Sequence, residues 1–77
     1  MRVLIIEDEV HLSEAIAFLL KKNHYTVDAI YDGLEGYYAI QSNIYDLVIL
    51  DVMLPSLDGF EILKRIRNEK NDVSILV

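Results

Sequence analysis

Two groups of carboxylates carry the chemistry legible in this chain. Glu7-Asp8-Glu9 follows the apolar run Val3-Leu4-Ile5-Ile6, and Asp51 follows Leu47-Val48-Ile49-Leu50. Short apolar runs bounded by charge fit strands buried on both faces. In an open parallel sheet, ligands gather at the carboxyl ends of the strands, where the strand order reverses. With the first and third strands as neighbours, these acids converge at one mouth. Like charges crowded together are costly unless a cation neutralises them. Oxygen donors in a chain without cysteine favour Mg²⁺ over zinc. Mg²⁺ held by few carboxylates keeps waters and binds phosphoryl oxygens. One carboxylate can then act as nucleophile and form an acyl phosphate, the metal offsetting the repulsion between the two anions. Strand ends are also wet, and acids occur there without any ligand, so patterning alone leaves both readings open. Glu9 has a simpler role as a first-turn acid that suits the helix dipole.

The elements that must position these acids alternate along the chain. From Val10 to Lys22, Leu12, Ile16, Leu19 and Leu20 fall on one helical face, with Lys21 and Lys22 in the last turn. Tyr25 to Ile30 returns to a strand pattern, short and polar as an outer strand is. Asp32-Gly33-Leu34-Glu35 offers a capping box for a helix running to about Ser42. Asp46 to Asp51 is the clearest buried strand, and Val52 to Leu57, with the only proline, reads as a loop. Asp58-Gly59-Phe60-Glu61 repeats the capping box before a helix with Ile62, Leu63 and Ile66 inward. Val73 to Val77 starts a fourth strand. The order βαβαβαβ predicts an α/β fold, a parallel sheet with helices on its faces and right-handed crossovers.

Composition bounds the rest. Seventy-seven residues form one core at most. The chain is 53% hydrophobic, high for so little interior, which predicts exposed apolar surface or a piece of something larger. Thirteen acids against seven bases give a net charge of −6, so a nucleic-acid-binding face is not expected. No apolar run approaches a membrane span, and Glu7-Asp8-Glu9 interrupts the amino-terminal run too early for a signal peptide. A cytoplasmic protein with no membrane partner is expected. His11 and His24 read as surface helix and loop residues, Lys64 and Lys70 as solvated charges. The tyrosines read as half-buried packing groups, because no basic residues interleave with them.

Val3-Leu4-Ile5-Ile6-Glu7-Asp8-Glu9, the run from Asp46 to Pro55, and Asp58-Gly59 together resemble the receiver domain of two-component response regulators. Asp32-Gly33 also looks like this family, and the nearest flavour is the class carrying a winged-helix DNA-binding domain. The resemblance runs through the whole chain. It implies a flavodoxin-like open sheet, (βα)3β, with strand order 2-1-3-4. It implies Asp51 as phosphoacceptor from a sensor histidine kinase, rather than a turnover enzyme. It implies Mg²⁺ bound by Asp8 directly, by Glu7 through water, by Asp51 and by the Met53 backbone carbonyl. Pro55 and Gly59 would shape the loop above the site. Control of transcription by the parent protein is the implied output.

Family members continue further, with a Thr or Ser and a Lys that read the phosphoryl group. Residues 1–77 are therefore expected to be a truncated receiver with impaired switching. Val73, Ile75, Leu76 and Val77 are expected to form an uncovered edge that joins copies into a homo-oligomer. The alternative is an assembly module built from this half-sheet, with vestigial acids. A dinucleotide-binding domain is excluded, since no glycine follows the first strand. A haloacid-type phosphatase fits poorly, because Met53 stands where its second Asp belongs.

Overall fold

The apolar run after Arg2 forms β1 (Arg2–Ile6), in which Val3, Leu4, Ile5 and Ile6 are all fully buried. The computed structural model describes every residue from Met1 to Val77. The chain continues through α1 (Val10–Lys22), β2 (Thr26–Ile30), α2 (Gly33–Ile40), β3 (Leu47–Leu50), α3 (Gly59–Asn68) and β4 (Ser74–Leu76). All strand pairs are parallel, as the alternating pattern predicts, and their order is β2-β1-β3-β4, as the resemblance implies. No helix is long and apolar enough to cross a membrane.

Successive strand residues point to opposite faces. Leu4 and Ile6 of β1 and Val48 and Leu50 of β3 pack against Tyr37 and Ile40 of α2 and Ile62 and Ile66 of α3. The register sets Leu4 beside Val48 and Ile6 beside Leu50, so this layer is continuous across the two inner strands. Burying each such aliphatic side chain contributes roughly 1.5–3 kcal/mol. On the other face α1 packs on β1 and β2. Its expected inward face is only partly used: Ile16 and Leu20 are half-buried, whereas Leu12 and Leu19 are exposed. The stripe by which α1 meets two strands is narrow, and Ser13 lies in it, fully enclosed, its hydroxyl without a partner.

The helix starts follow the capping residues. Asp32 accepts from the Glu35 N–H at 3.1 Å and Asp58 from the Glu61 N–H at 2.9 Å. The expected end of α2 near Ser42 falls instead at Ile40. There the Ser42 N–H donates to the Ala39 carbonyl and tightens the last turn, and Asn43 follows in a left-handed conformation, φ 60°.

The tyrosines divide. Tyr37 is buried, donates to Glu69, accepts from Gln41 and lies under the Arg65 guanidinium, so it fastens α2 to the end of α3. Tyr45 donates to Asp28 at 2.7 Å, and Asp28 also pairs with Arg2 at 3.0 Å. Tyr38 is exposed and only leans on the Tyr37 ring, which corrects the expectation of uniform half-burial. β4 stands at the edge of the sheet, paired only with β3, but its side chains are unequally exposed. Val73 and Ile75 pack against the core, and only Leu76 and Val77 are largely in solvent. Alternation turns Ile75 to the core layer and Leu76 away from it, and Val77 lies past the end of the strand.

Candidate functional site

Parallel pairing of β1 with β3 matches Ile6 to Leu50, so the residues that follow, Glu7 and Asp51, emerge side by side. Two backbone bonds fix the strand ends. The Asp51 N–H donates to the Ile6 carbonyl at 2.9 Å, and the Glu7 N–H donates to the Ile30 carbonyl at 3.0 Å. Glu7, Asp8 and Asp51 thereby bring carboxylate oxygens within 4.8 Å of one another. No Lys, Arg or His nitrogen forms an ion pair with any of the three.

Glu9, the third acid of its run, takes no part in this cluster. Its carboxylate accepts from the N–H groups of His11 and Leu12, at 3.2 and 3.0 Å, and so caps α1 from the position before its first turn. The Glu9 N–H in turn donates to the Glu7 carboxylate at 3.0 Å. Burial pushes the Glu7 carboxyl above its ordinary value, the Glu9 N–H opposes this, and the Asp51 charge adds to the rise.

The loop after Asp51 forms one wall. Met53 lies two residues beyond the acid, its N–H at 3.4 Å from Asp51 Oδ1 and its side chain 81% exposed. Gly59 opens α3 directly beneath. A Cβ there would stand 2.3 Å from the Asp51 carbonyl oxygen, so no side chain is possible without moving the acid's backbone. The Gly59 N–H also donates to the Val52 carbonyl at 2.8 Å. The Pro55 carbonyl accepts from the N–H groups of Leu57 and Gly33. Pro55 thus lies inside the loop, hydrogen-bonded to the start of α2, and Gly59 closes the loop as the first residue of α3. A cleft of about 520 Å³ opens alongside, lined by Asp8, Val52, Met53, Leu54, Pro55, Asp58 and Phe60. A second cavity, about 350 Å³, lies at the amino ends of β3 and β4, away from the three acids.

The donor set suits a hard cation. Carboxylate oxygens this close together could converge on one such ion. Glu7, Asp8 and Asp51 are the residues that could hold it.

Sequence reasoning missed one partner of this site. Ser56, in the loop after β3, donates to Asp32 at the start of α2 at 2.8 Å. A left-handed φ of 65° at Ser56 is invisible in a sequence that has serine where glycine is the usual signal.

Residues 3–77 match the family model described as the response regulator receiver domain. A transcriptional regulatory protein, DltR of Streptococcus agalactiae, is 43% identical over 76 residues, which cover 99% of this chain and 34% of the relative. The chain thus spans about a third of that relative's length. Among solved structures, the receiver domain of the Francisella response regulator 1452 superposes with a TM-score of 0.92 at 28% identity, over 96% of this chain and 61% of that one. The response regulator TrrA of Thermotoga maritima, solved in complex with Mg(2+)-BeF, gives a TM-score of 0.88 at 35% identity, over 96% of this chain and 64% of that one.

Proposed function

The chain belongs to the response regulator receiver domain family of two-component systems, and from that premise we propose that Asp51 accepts a phosphoryl group in a Mg²⁺-dependent transfer from a sensor histidine kinase. One observation carries the reading: three carboxylates from two adjacent strand ends crowd within 4.8 Å, with no basic partner among them. The Mg(2+)-BeF complex of TrrA supports the choice of cation.

Asp8 and Asp51 would hold the cation directly and Glu7 through water, with the Met53 carbonyl as a further oxygen donor. When bound, Mg²⁺ offsets the carboxylate charge and draws electron density from the phosphoryl oxygens. The chain's own residues do the rest. The ionised Asp51 carboxylate attacks phosphorus, a P–O bond forms, and the P–N bond to the kinase histidine breaks. The electron pair of that bond stays on the imidazole, and Asp51 becomes a mixed anhydride. Gly59 keeps α3 close beneath the acid, and Pro55 anchors the loop. The acceptor is consumed and regenerated by hydrolysis, so the domain acts as a switch rather than a turnover enzyme. The likeness to DltR supports control of transcription by the whole protein, through a partner affinity that changes on phosphorylation. The exchange belongs in the cytoplasm, where the kinase's phosphohistidine is formed.

Residues 1–77 place no cation beside Asp51, and their only threonine, Thr26, opens β2 at the far end of the sheet. On these residues alone, uptake of the phosphoryl group is expected to be slow and switching weak. A small phosphodonor with Mg²⁺, followed by intact mass, tests the assignment. A gain of one phosphoryl group that needs Mg²⁺ and vanishes in Asp51→Asn is expected. An equal gain in the variant would reject Asp51 as acceptor.

A further inference from the structure

Three links close a ring around the mouth where the acids meet. The Glu7 N–H joins the end of β1 to the Ile30 carbonyl at the end of β2. The Asp51 N–H joins β3 to β1 through the Ile6 carbonyl. The third link runs from the residues after β2 to the loop after β3. There Ser56 Oγ donates to Asp32 Oδ1 at 2.8 Å, and the same oxygen accepts from the Leu34 N–H at 3.2 Å. Beside it the Gly33 N–H donates to the Pro55 carbonyl at 3.2 Å. The approach is close: a Cβ on Gly33 would stand 1.8 Å from the Leu57 carbonyl oxygen.

The first two links use backbone atoms alone. The third also needs two particular side chains. Ser56 holds a left-handed φ of 65°, which glycine adopts with less strain. A serine kept there spends its hydroxyl on two bonds across the gap, as donor and as acceptor. Asp32 is divided in the same way. One oxygen takes the Ser56 hydroxyl, and the other caps α2 through the Glu35 N–H at 3.1 Å.

We infer that Ser56 and Asp32 are positioning residues for the metal-binding loop. Their clasp braces the segment Val52–Pro55, which carries the Met53 carbonyl, against the fixed end of β2. This rests on the reading of Glu7, Asp8, Asp51 and the Met53 carbonyl as the Mg²⁺ ligands. A loop so braced enters the metal complex already ordered, so loosening it weakens the ion without touching a ligand.

The test is a Mg²⁺ titration followed by amide shifts in NMR, with thermal melting of each variant alongside. Ser56→Gly keeps the left-handed backbone and deletes the hydroxyl. Asp32→Ser keeps a capping oxygen on a side chain too short to reach Ser56. Each is expected to weaken Mg²⁺ roughly tenfold, and the double variant is expected to be no weaker than either single one. Asp32→Asn keeps one oxygen for the Glu35 N–H and gains an amide NH₂ that can donate to Ser56 Oγ, so the clasp is retained with its direction reversed, and it is expected to bind like the parent. Lower melting temperatures with unchanged Mg²⁺ affinity in both single variants would overturn the inference. So would additive losses in the double variant. A parent protein that binds no Mg²⁺ would instead overturn the site itself, and the inference with it.

Discussion

Replacing Asp51 by Asn should make the metal-free protein more stable while removing its response to Mg²⁺. Two unit charges 4.8 Å apart repel by about 0.9 kcal/mol in bulk water and about 3.5 kcal/mol at an effective dielectric constant near 20. Asp8 is exposed and Glu7 and Asp51 are half-buried, so the lower figure is the better guide. Asp51 takes part in two of the three pairs, with Glu7 and with Asp8. Neutralising it therefore relieves roughly 2 kcal/mol at low ionic strength. Little is lost in exchange, because its one hydrogen bond from the Met53 N–H is long, at 3.4 Å, and Asn keeps an acceptor there. In a domain of this size, 1 kcal/mol moves the melting temperature by about 4–8 °C. Calorimetry or circular dichroism in a chelator at neutral pH should thus show a rise of roughly 10 °C. In about 1 M salt most of the rise should disappear, since the screening length falls to about 3 Å. Mg²⁺ at ten times its dissociation constant should stabilise the parent by about 1.4 kcal/mol and the variant by far less. Asp58→Asn is the control. Asp58 lines the same cleft, stands outside the acid cluster, and caps α3 as well as Asn would. A chelated Asp51→Asn protein no more stable than the parent, with an undiminished Mg²⁺ response, would refute the picture of an uncompensated acid cluster.

Other outcomes follow from single positions. Ser13→Ala should raise stability by about 1 kcal/mol, because a buried hydroxyl without a partner is removed from α1; a loss in chemical denaturation would contradict this. Gly59→Ala should cost at least about 1–3 kcal/mol and displace Asp51, its Cβ falling 2.3 Å from the Asp51 carbonyl oxygen. Wild-type stability together with unchanged amide shifts at residues 51–53 would show that reasoning to be wrong. The raised Glu7 carboxyl sets a pH dependence. Between its ordinary value of 4.5 and its higher folded value, the native state binds more protons than the unfolded chain, so stability falls as pH rises through that window. In chelator, the stabilisation of Glu7→Gln over the parent should therefore grow as pH rises above about 4.5, and a difference independent of pH would count against it.

Much of the fold was legible because its signals are local. The continuous apolar runs of β1 and β3 differ from the 3.6-residue period of the helices, and Asp32 and Asp58 mark two helix starts on their own. The convergence of Glu7, Asp8 and Asp51 followed from one assumption, that the first and third strands are neighbours, and the pairing bears it out. What stayed hidden depends on contacts between distant residues. Glu9 reads as a first-turn acid that favours the dipole, whereas its extended backbone angle at the helix entry makes it the N-cap. Leu12 and Leu19 have the right period, but how many strands α1 covers is a tertiary matter. The Tyr37–Glu69 pair and the Ser56–Asp32 clasp each join residues more than twenty positions apart, through groups with no sequence signature.

The central claim is that Asp51 itself carries the phosphoryl group, and reductive trapping addresses it most directly. After incubation with a small phosphodonor and Mg²⁺, borohydride reduces an aspartyl phosphate to homoserine, and peptide sequencing by mass spectrometry locates the change. Homoserine at position 51 alone, and only when Mg²⁺ and phosphodonor are both present, is the predicted result. Homoserine at Asp8 or another acid, or phosphorylation that leaves position 51 as aspartate, would contradict the account.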